Sequence, residues 1–225
     1  MADTMTPPLA LPADPTLDEM RAALGAAIPA QAMFDGWGDA ALEAAANTLG
    51  IDPGHARLAF PDGAMGMIEA WYASIDARLA AAFPAERIAA MKIRDRIGAL
   101  ILARLDVMRP DKQAARTALS LLARHPATAA KLGWRAADRI WRIAGDSATD
   151  LNHYSKRLTL SAVYGATMLV WLDDESEGEA DTRGFLERRL VDVMRFEKIK
   201  AQFKPDPERM FSMTRLLGRL RYPAT

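Results

Sequence analysis

Residues 134–157, WRAADRIWRIAGDSATDLNHYSKR, decide the fold, because two helical patterns meet there at a short polar corner. Trp134, Ala137, Ile140, Trp141 and Ala144 recur at steps of three and four, the apolar stripe of a helix packed on one side. Gly145 ends the stripe, where a residue tolerant of positive φ is wanted. Asp146, Ser147 and Thr149 then offer oxygens to the free N–H groups of a second helix, with Asp150 three residues after Ser147 as a loose capping box. On its first turns Asp150, Tyr154 and Arg157 share one face, while Asn152, His153 and Lys156 spread over the neighbouring surface. The first three read either as a salt bridge and hydrogen bond stitching the corner together or as contacts to a ligand.

The run that follows, LTLSAVYGATMLVWL from Leu158 to Leu172, falls short of the roughly 20 apolar residues that a membrane-crossing helix needs. It is predicted to be a buried central helix. Trp134, Trp141, Tyr164, Met168, Trp171 and Leu172 supply a wide apolar interior, and Ala162, Gly165 and Ala166 leave space for a flat or long apolar ligand. The candidate ligand contacts are therefore Trp141, Ala162, Tyr164, Gly165, Met168 and Trp171.

At 225 residues the chain can bury a substantial core, on the order of 70% of its unfolded surface. It has no cysteine, which excludes disulfides and thiolate metal sites. The amino-terminal sequence, MADTMTPPLALPADP, carries neither a secretory nor an organelle-import pattern, and the expected location is the bacterial cytoplasm, peripheral at the inner membrane. The net charge of zero hides an asymmetry: eleven acids face two bases through Asp76, and 18 acids face 27 bases in the remainder.

Residues 1–15 are proline-rich and aperiodic, a disordered arm. Residues 16–76 form a helix-turn-helix-like head. Its first helix is capped at Thr16 or Asp18 and stopped or bent by Pro29, its second runs from Asp39 to Leu49 and ends at Gly50, its third is short, and its fourth starts near Gly63. The outline suits a DNA-binding unit, but phosphate neutralisation supplies most of the affinity for a duplex, and a head at −9 has almost no Lys or Arg for it. Residues 77–196 form a larger helical domain, with breaks near Pro84 and at His125-Pro126, an acidic loop DDESEGEAD, and a helix from Thr182 to Phe196. Alternating strand patterns are absent, so the class is all-α.

Residues 197–206 read as a linker and 207–221 as an amphipathic helix started by Asp206-Pro207. Met210, Met213, Leu217 and Leu220 form its stripe, with Phe211 and Leu216 beside it and four arginines elsewhere. About 14 residues at 1.5 Å each span about 21 Å, enough to lie on a bilayer and not to cross one. The same helix can instead pack on its own domain or on a second subunit.

Catalytic chemistry is not legible. His55, His125 and His153 lack a Glu or second His at helical ligand spacing, and there is no glycine-rich phosphate loop or GxSxG. No metal, no cofactor and no enzymatic activity are expected, and His153 reads as a surface residue.

The corner resembles the Coq-nine type of ubiquinone (coenzyme Q) biosynthesis accessory family. Its pattern W-x-x-A-G-D-x-S/A-T-D-x-N-x-Y-S/T-K/R-R falls here on Trp141, Ala144, Gly145, Asp146, Thr149, Asp150, Asn152, Tyr154, Lys156 and Arg157. The resemblance implies a TetR-like homodimer that is not a repressor and does not bind nucleic acid. It also implies an isoprenoid lipid or phospholipid in the large domain and membrane contact through Met210, Phe211, Met213, Leu216, Leu217 and Leu220. The implied protein partner is the demethoxyubiquinone hydroxylase, on a surface formed by Asp150, Asn152, His153, Tyr154, Lys156 and Arg157. Members of the family often carry Trp where this chain has His153. The competing expectation is a ligand-responsive regulator of the TetR type.

Overall fold

The computed structural model describes residues 11–12, 14–146 and 151–202, without the side chains of residues 85, 151, 152 and 196–202. Every regular element among them is helical, as the periodicity predicts. They are α1 (Leu17–Asp35), α2 (Asp39–Leu49), α3 (Pro53–Ala59), α4 (Gly63–Ala82), α5 (Ala85–Ala89), α6 (Ile93–Met108), α7 (Lys112–Leu122), α8 (Pro126–Ile143), α9 (Leu151–Asp173) and α10 (Ala180–Gln202). Most of the expected arm and the whole amphipathic helix 207–221, with Met210, Phe211, Met213, Leu216, Leu217 and Leu220, lie outside the described residues.

Helix α1 begins with a complete capping box: the Glu19 N–H donates to Thr16 Oγ1 and the Thr16 N–H donates to the Glu19 carboxylate. Pro29 does not stop it. The carbonyl that Pro29 leaves without a donor belongs to Gly25, four residues earlier, where α1 comes close to α4. A Cβ on Gly25 would stand 2.8 Å from the backbone of Ala70, so the two helices touch main chain to main chain.

The expected boundary between head and body at residue 76 falls inside α4, which runs unbroken from Gly63 to Ala82. Met67, Ile68 and Trp71 of α4 are buried with Leu24 and Ile28 of α1, and α4 also packs on α6 and α8. Trp37, in the turn between α1 and α2, adds a second tie. Its indole N–H donates to the Ala114 carbonyl of α7 at 3.0 Å, and its ring lies 5.3 Å from that of Trp71. One compact unit accordingly holds α1–α9 and the start of α10 as far as Glu187, and a second begins at Arg188. The expected linker at 197–206 is corrected at its start, since α10 continues through residues 197–202.

Helices α6, α7, α8 and α9 enclose the core of the larger part with Leu100, Ile101, Leu105, Ala118, Ala136, Ile140, Met168 and Trp171. Leu158 and Leu169 of α9 are 68% and 61% exposed, and Ala162 and Gly165 between them are exposed as well. The central helix is therefore apolar on two faces, of which one is buried in this chain.

Candidate functional site

The α8–α9 corner is built around one buried cation. Helix α8 ends at Gly145, whose φ of +92° is in the left-handed region, and Arg96 of α6 donates to the Ala144 carbonyl at 2.9 Å. The chain then turns so that Arg157, one and a half turns into α9, points back at α8. Its side chain is 2% exposed, with Nε donating to Asp138 Oδ1 at 2.6 Å and Nη1 donating to Asp146 Oδ2 at 3.1 Å and to the His153 carbonyl at 3.2 Å. Lys156 donates to the other Asp146 oxygen at 2.7 Å while its ammonium lies 5.2 Å from the Trp141 ring centre. The Trp141 indole N–H donates to the Lys156 carbonyl at 3.2 Å, and Arg142 holds the second oxygen of Asp138.

Burial alone would raise the Asp146 carboxyl, but the hydrogen bonds and charges of Lys156 and Arg157 outweigh it and hold the group below the usual carboxylate range. Two acids and three cations thus interlock, and the burial cost of Arg157 is offset because each of its charged contacts is hydrogen-bonded.

An aromatic surface lies over this lattice. The Trp134 ring stacks on Tyr154 at 6.0 Å, His153 meets Tyr154 edge-on at 5.2 Å, and Trp134 and His153 are 6.5 Å apart. Tyr154 is 60% exposed. Large, half-desolvated rings on a rigid backing are what a protein interface uses as anchors. Among the described residues, acid, base and nucleophile do not converge at the corner, and no three His, Asp or Glu side chains form a metal-ligand group.

The structure sorts the residues chosen from sequence. Of the surface set, His153 and Tyr154 stand on the aromatic face and Lys156 beside it. Arg157 is corrected from surface to interior: it follows Tyr154 by three residues on the same helix, but two aspartates draw its side chain inward while Tyr154 stays exposed. Asp150 and the side chain of Asn152 lie outside the described residues, as do Ser147 and Thr149. Of the ligand set, Tyr164, Met168 and Trp171 are buried core; Trp141 is half-buried at the corner, and Ala162 and Gly165 face outward on α9, where a Cβ on Gly165 would meet nothing within 4 Å. The six residues do not line one interior space. Asp138 was missed, although its four-residue spacing from Arg142 marks an ion pair on α8.

The far end of α9 carries a second junction. Asp174 accepts from the N–H and hydroxyl of both Ser176 and Thr182, and burial, which raises its carboxyl, is outweighed by these donors, which hold it far below the usual range. Glu179 binds Arg109 and the Trp171 indole N–H, and Lys112 lies over the Trp171 ring. The acidic loop is consequently an ordered turn facing Arg109, in the turn between α6 and α7, and Lys112 of α7. No helix among the described residues is long and apolar enough to cross a membrane.

Comparison with known proteins gives three findings. Residues 126–197 match the COQ9 family model, which spans α8, the corner, α9 and most of α10. Human ubiquinone biosynthesis protein COQ9, mitochondrial, is 41% identical over 71 residues, 32% of this chain and 22% of that protein, and the Drosophila melanogaster protein of the same name is 26% identical over 149 residues, 64% of this chain and 46% of that one. The chain thus spans about a fifth of the length of the human relative and less than half of the fly one. A TetR transcriptional regulator from Nitrosomonas europaea superposes with a TM-score of 0.62 at 24% identity, over 78% of this chain and 98% of that one, which establishes the TetR-like fold. The expected bacterial cytoplasmic location is corrected: the relatives from Homo sapiens, Bos taurus and Xenopus laevis are all named mitochondrial proteins.

Proposed function

We propose that this chain, which carries a COQ9-type domain on a TetR-like fold, is a non-enzymatic accessory protein of ubiquinone biosynthesis. In this reading it binds an isoprenoid quinone intermediate or phospholipid and presents it to the demethoxyubiquinone hydroxylase. The observation that carries the reading is the corner itself, where the family match and the aromatic face of Trp134, His153 and Tyr154 coincide on an immobilised base of ion pairs. The hydroxylase is the partner we assign to that face, and the amphipathic segment 207–221 is the part we assign to a membrane surface. Native mass spectrometry of the purified protein is expected to show co-purifying isoprenoid lipid or phospholipid. A lipid-free protein that also ignores liposomes would overturn the reading.

A second copy is the occupant we propose for the exposed seam of α9. Leu158, Ala162, Gly165 and Leu169 follow the four-three-four spacing of a packing seam and are symmetric about Val163 and Tyr164. A two-fold axis there sets leucine against leucine and small residue against small residue, as an isologous contact requires. Light scattering of Gly165→Arg, expected to be monomeric beside a dimeric parent, tests it. The alternative of a DNA-binding regulator is disfavoured by the head, whose two cations are engaged: Arg21 caps the Ala59 and Gly66 carbonyls and Arg57 pairs with Glu43. A gel shift at low salt decides it.

A further inference from the structure

Arg104 of α6 is fully buried in the middle of the larger helical part, away from the corner, and its hydrogen bonding is incomplete. Nε donates to the Tyr164 hydroxyl at 2.9 Å and Nη1 pairs with Asp76, while Nη2 is buried without a hydrogen-bond partner. The guanidinium lies 5.6 Å from the Tyr72 ring centre and 5.4 Å from that of Tyr164. Each phenol in turn donates only to a thioether, Tyr72 to Met168 Sδ and Tyr164 to Met108 Sδ, both at 3.7 Å.

This is a cluster with donor capacity to spare. A thioether is a weak acceptor, so a hydroxyl loses little by turning from it to an oxygen, and methionines, with three rotatable bonds, yield space more readily than branched side chains. Burial raises both phenols, which therefore keep their protons. The charge of Arg104 is already matched by Asp76, so a carboxylate or phosphate brought here would leave a buried negative charge unbalanced, whereas a neutral acceptor would not.

We propose that the Arg104 cluster is an internal anchor for one uncharged acceptor oxygen, a ring carbonyl of a quinone-class ligand, held by Arg104 Nη2 with the Tyr72 hydroxyl as the adjustable second donor. It deepens the lipid-binding reading above and rests on it for the choice of ligand class. Calorimetric titration of the full chain with a tail-less dimethoxy-methyl-benzoquinone, alongside binding to phosphatidylcholine vesicles containing an isoprenoid lipid, tests the two separately. Tyr72→Phe is expected to weaken quinone binding by about threefold to tenfold and Arg104→Lys, which keeps a charge opposite Asp76, by about tenfold or more, with vesicle binding unchanged. If the parent and both variants bind the quinone equally, or the parent binds vesicles and not the quinone, the anchor is wrong and the lipid reading stands. Failure of the parent to bind either probe removes both. Should Arg104→Lys lose its helical circular dichroism, Tyr72→Phe decides alone.

Discussion

The two ends of α9 solve one problem with different chemistry. Each turns the chain around a buried carboxylate, Asp146 before the helix and Asp174 after it. Asp146 is held by two cations; the Asp174 carboxylate is held by two hydroxyls and two backbone N–H groups, with no ion pair to it among the described residues. The charged end also fixes side chains that come from different helices, Asp138 and Trp141 from α8 and Lys156 and Arg157 from α9. At the other end the contacts of the carboxylate itself are local, closing within the nine residues from Asp174 to Thr182. The charged end also holds up the stack of Trp134 on the exposed Tyr154, whereas Trp171 at the other end is buried.

The largest test of this contrast is Arg157→Met. It leaves Asp146 buried and Asp138 half-buried with weaker partners and is expected to cost about 3 kcal/mol or more in chemical denaturation. Asp174→Ala is expected to cost about 2 kcal/mol, because it strands the buried Thr182 N–H, and Asp174→Asn should recover part of that by keeping an acceptor. Equal losses from both aspartate variants would show that the charge, not the acceptor, matters there. Acid should weaken both ends. Each carboxyl is depressed in the folded protein, so its contribution is fully present above an unfolded value of about 3.9 and fades as pH falls below it. A stability profile between about pH 5 and pH 2 that stays flat would contradict the shared sign. Smallest in stability is Tyr154→Ala, expected within about 0.5 kcal/mol of the parent because the ring is mostly exposed. On the proposed partner face its effect is expected in binding: capture of the demethoxyubiquinone hydroxylase should drop while the melting temperature holds, and unchanged capture would reject the face.

Much of this architecture was legible in the sequence. Helix α2 begins at Asp39 and ends at Gly50 as its capping signals predict, and Gly145 closes α8 for the expected backbone reason. Of the two outcomes expected at Pro29, stopping the helix does not occur: the carbonyl it leaves without a donor belongs to Gly25, which sits against Ala70, forty-five residues further along the chain. The candidate ligand residues divide between two faces. An apolar run reads as buried on every side, yet α9 has one face in the core and a second, Leu158 to Leu169, facing out, so Ala162 and Gly165 opened a surface and not an interior. The family resemblance places Arg157 on a partner surface, while the residues alone also allow a salt bridge stitching the corner, and the ion pairs are what the structure shows. Only the positions of Asp138 and Asp146 make its burial tolerable, and no spacing rule joins the three.

The pairing of Trp37 with Trp71 has an optical consequence. Two indoles with ring centres 5.3 Å apart and planes tilted by 36° couple their excited states and give the near-ultraviolet dichroism a signature of their own. Because one ring comes from the turn after α1 and the other from α4, that signal vanishes if the first helices peel away while the remaining tryptophans keep their environment. The protein thus carries a built-in spectral reporter for separation of its amino-terminal helices, readable without any label.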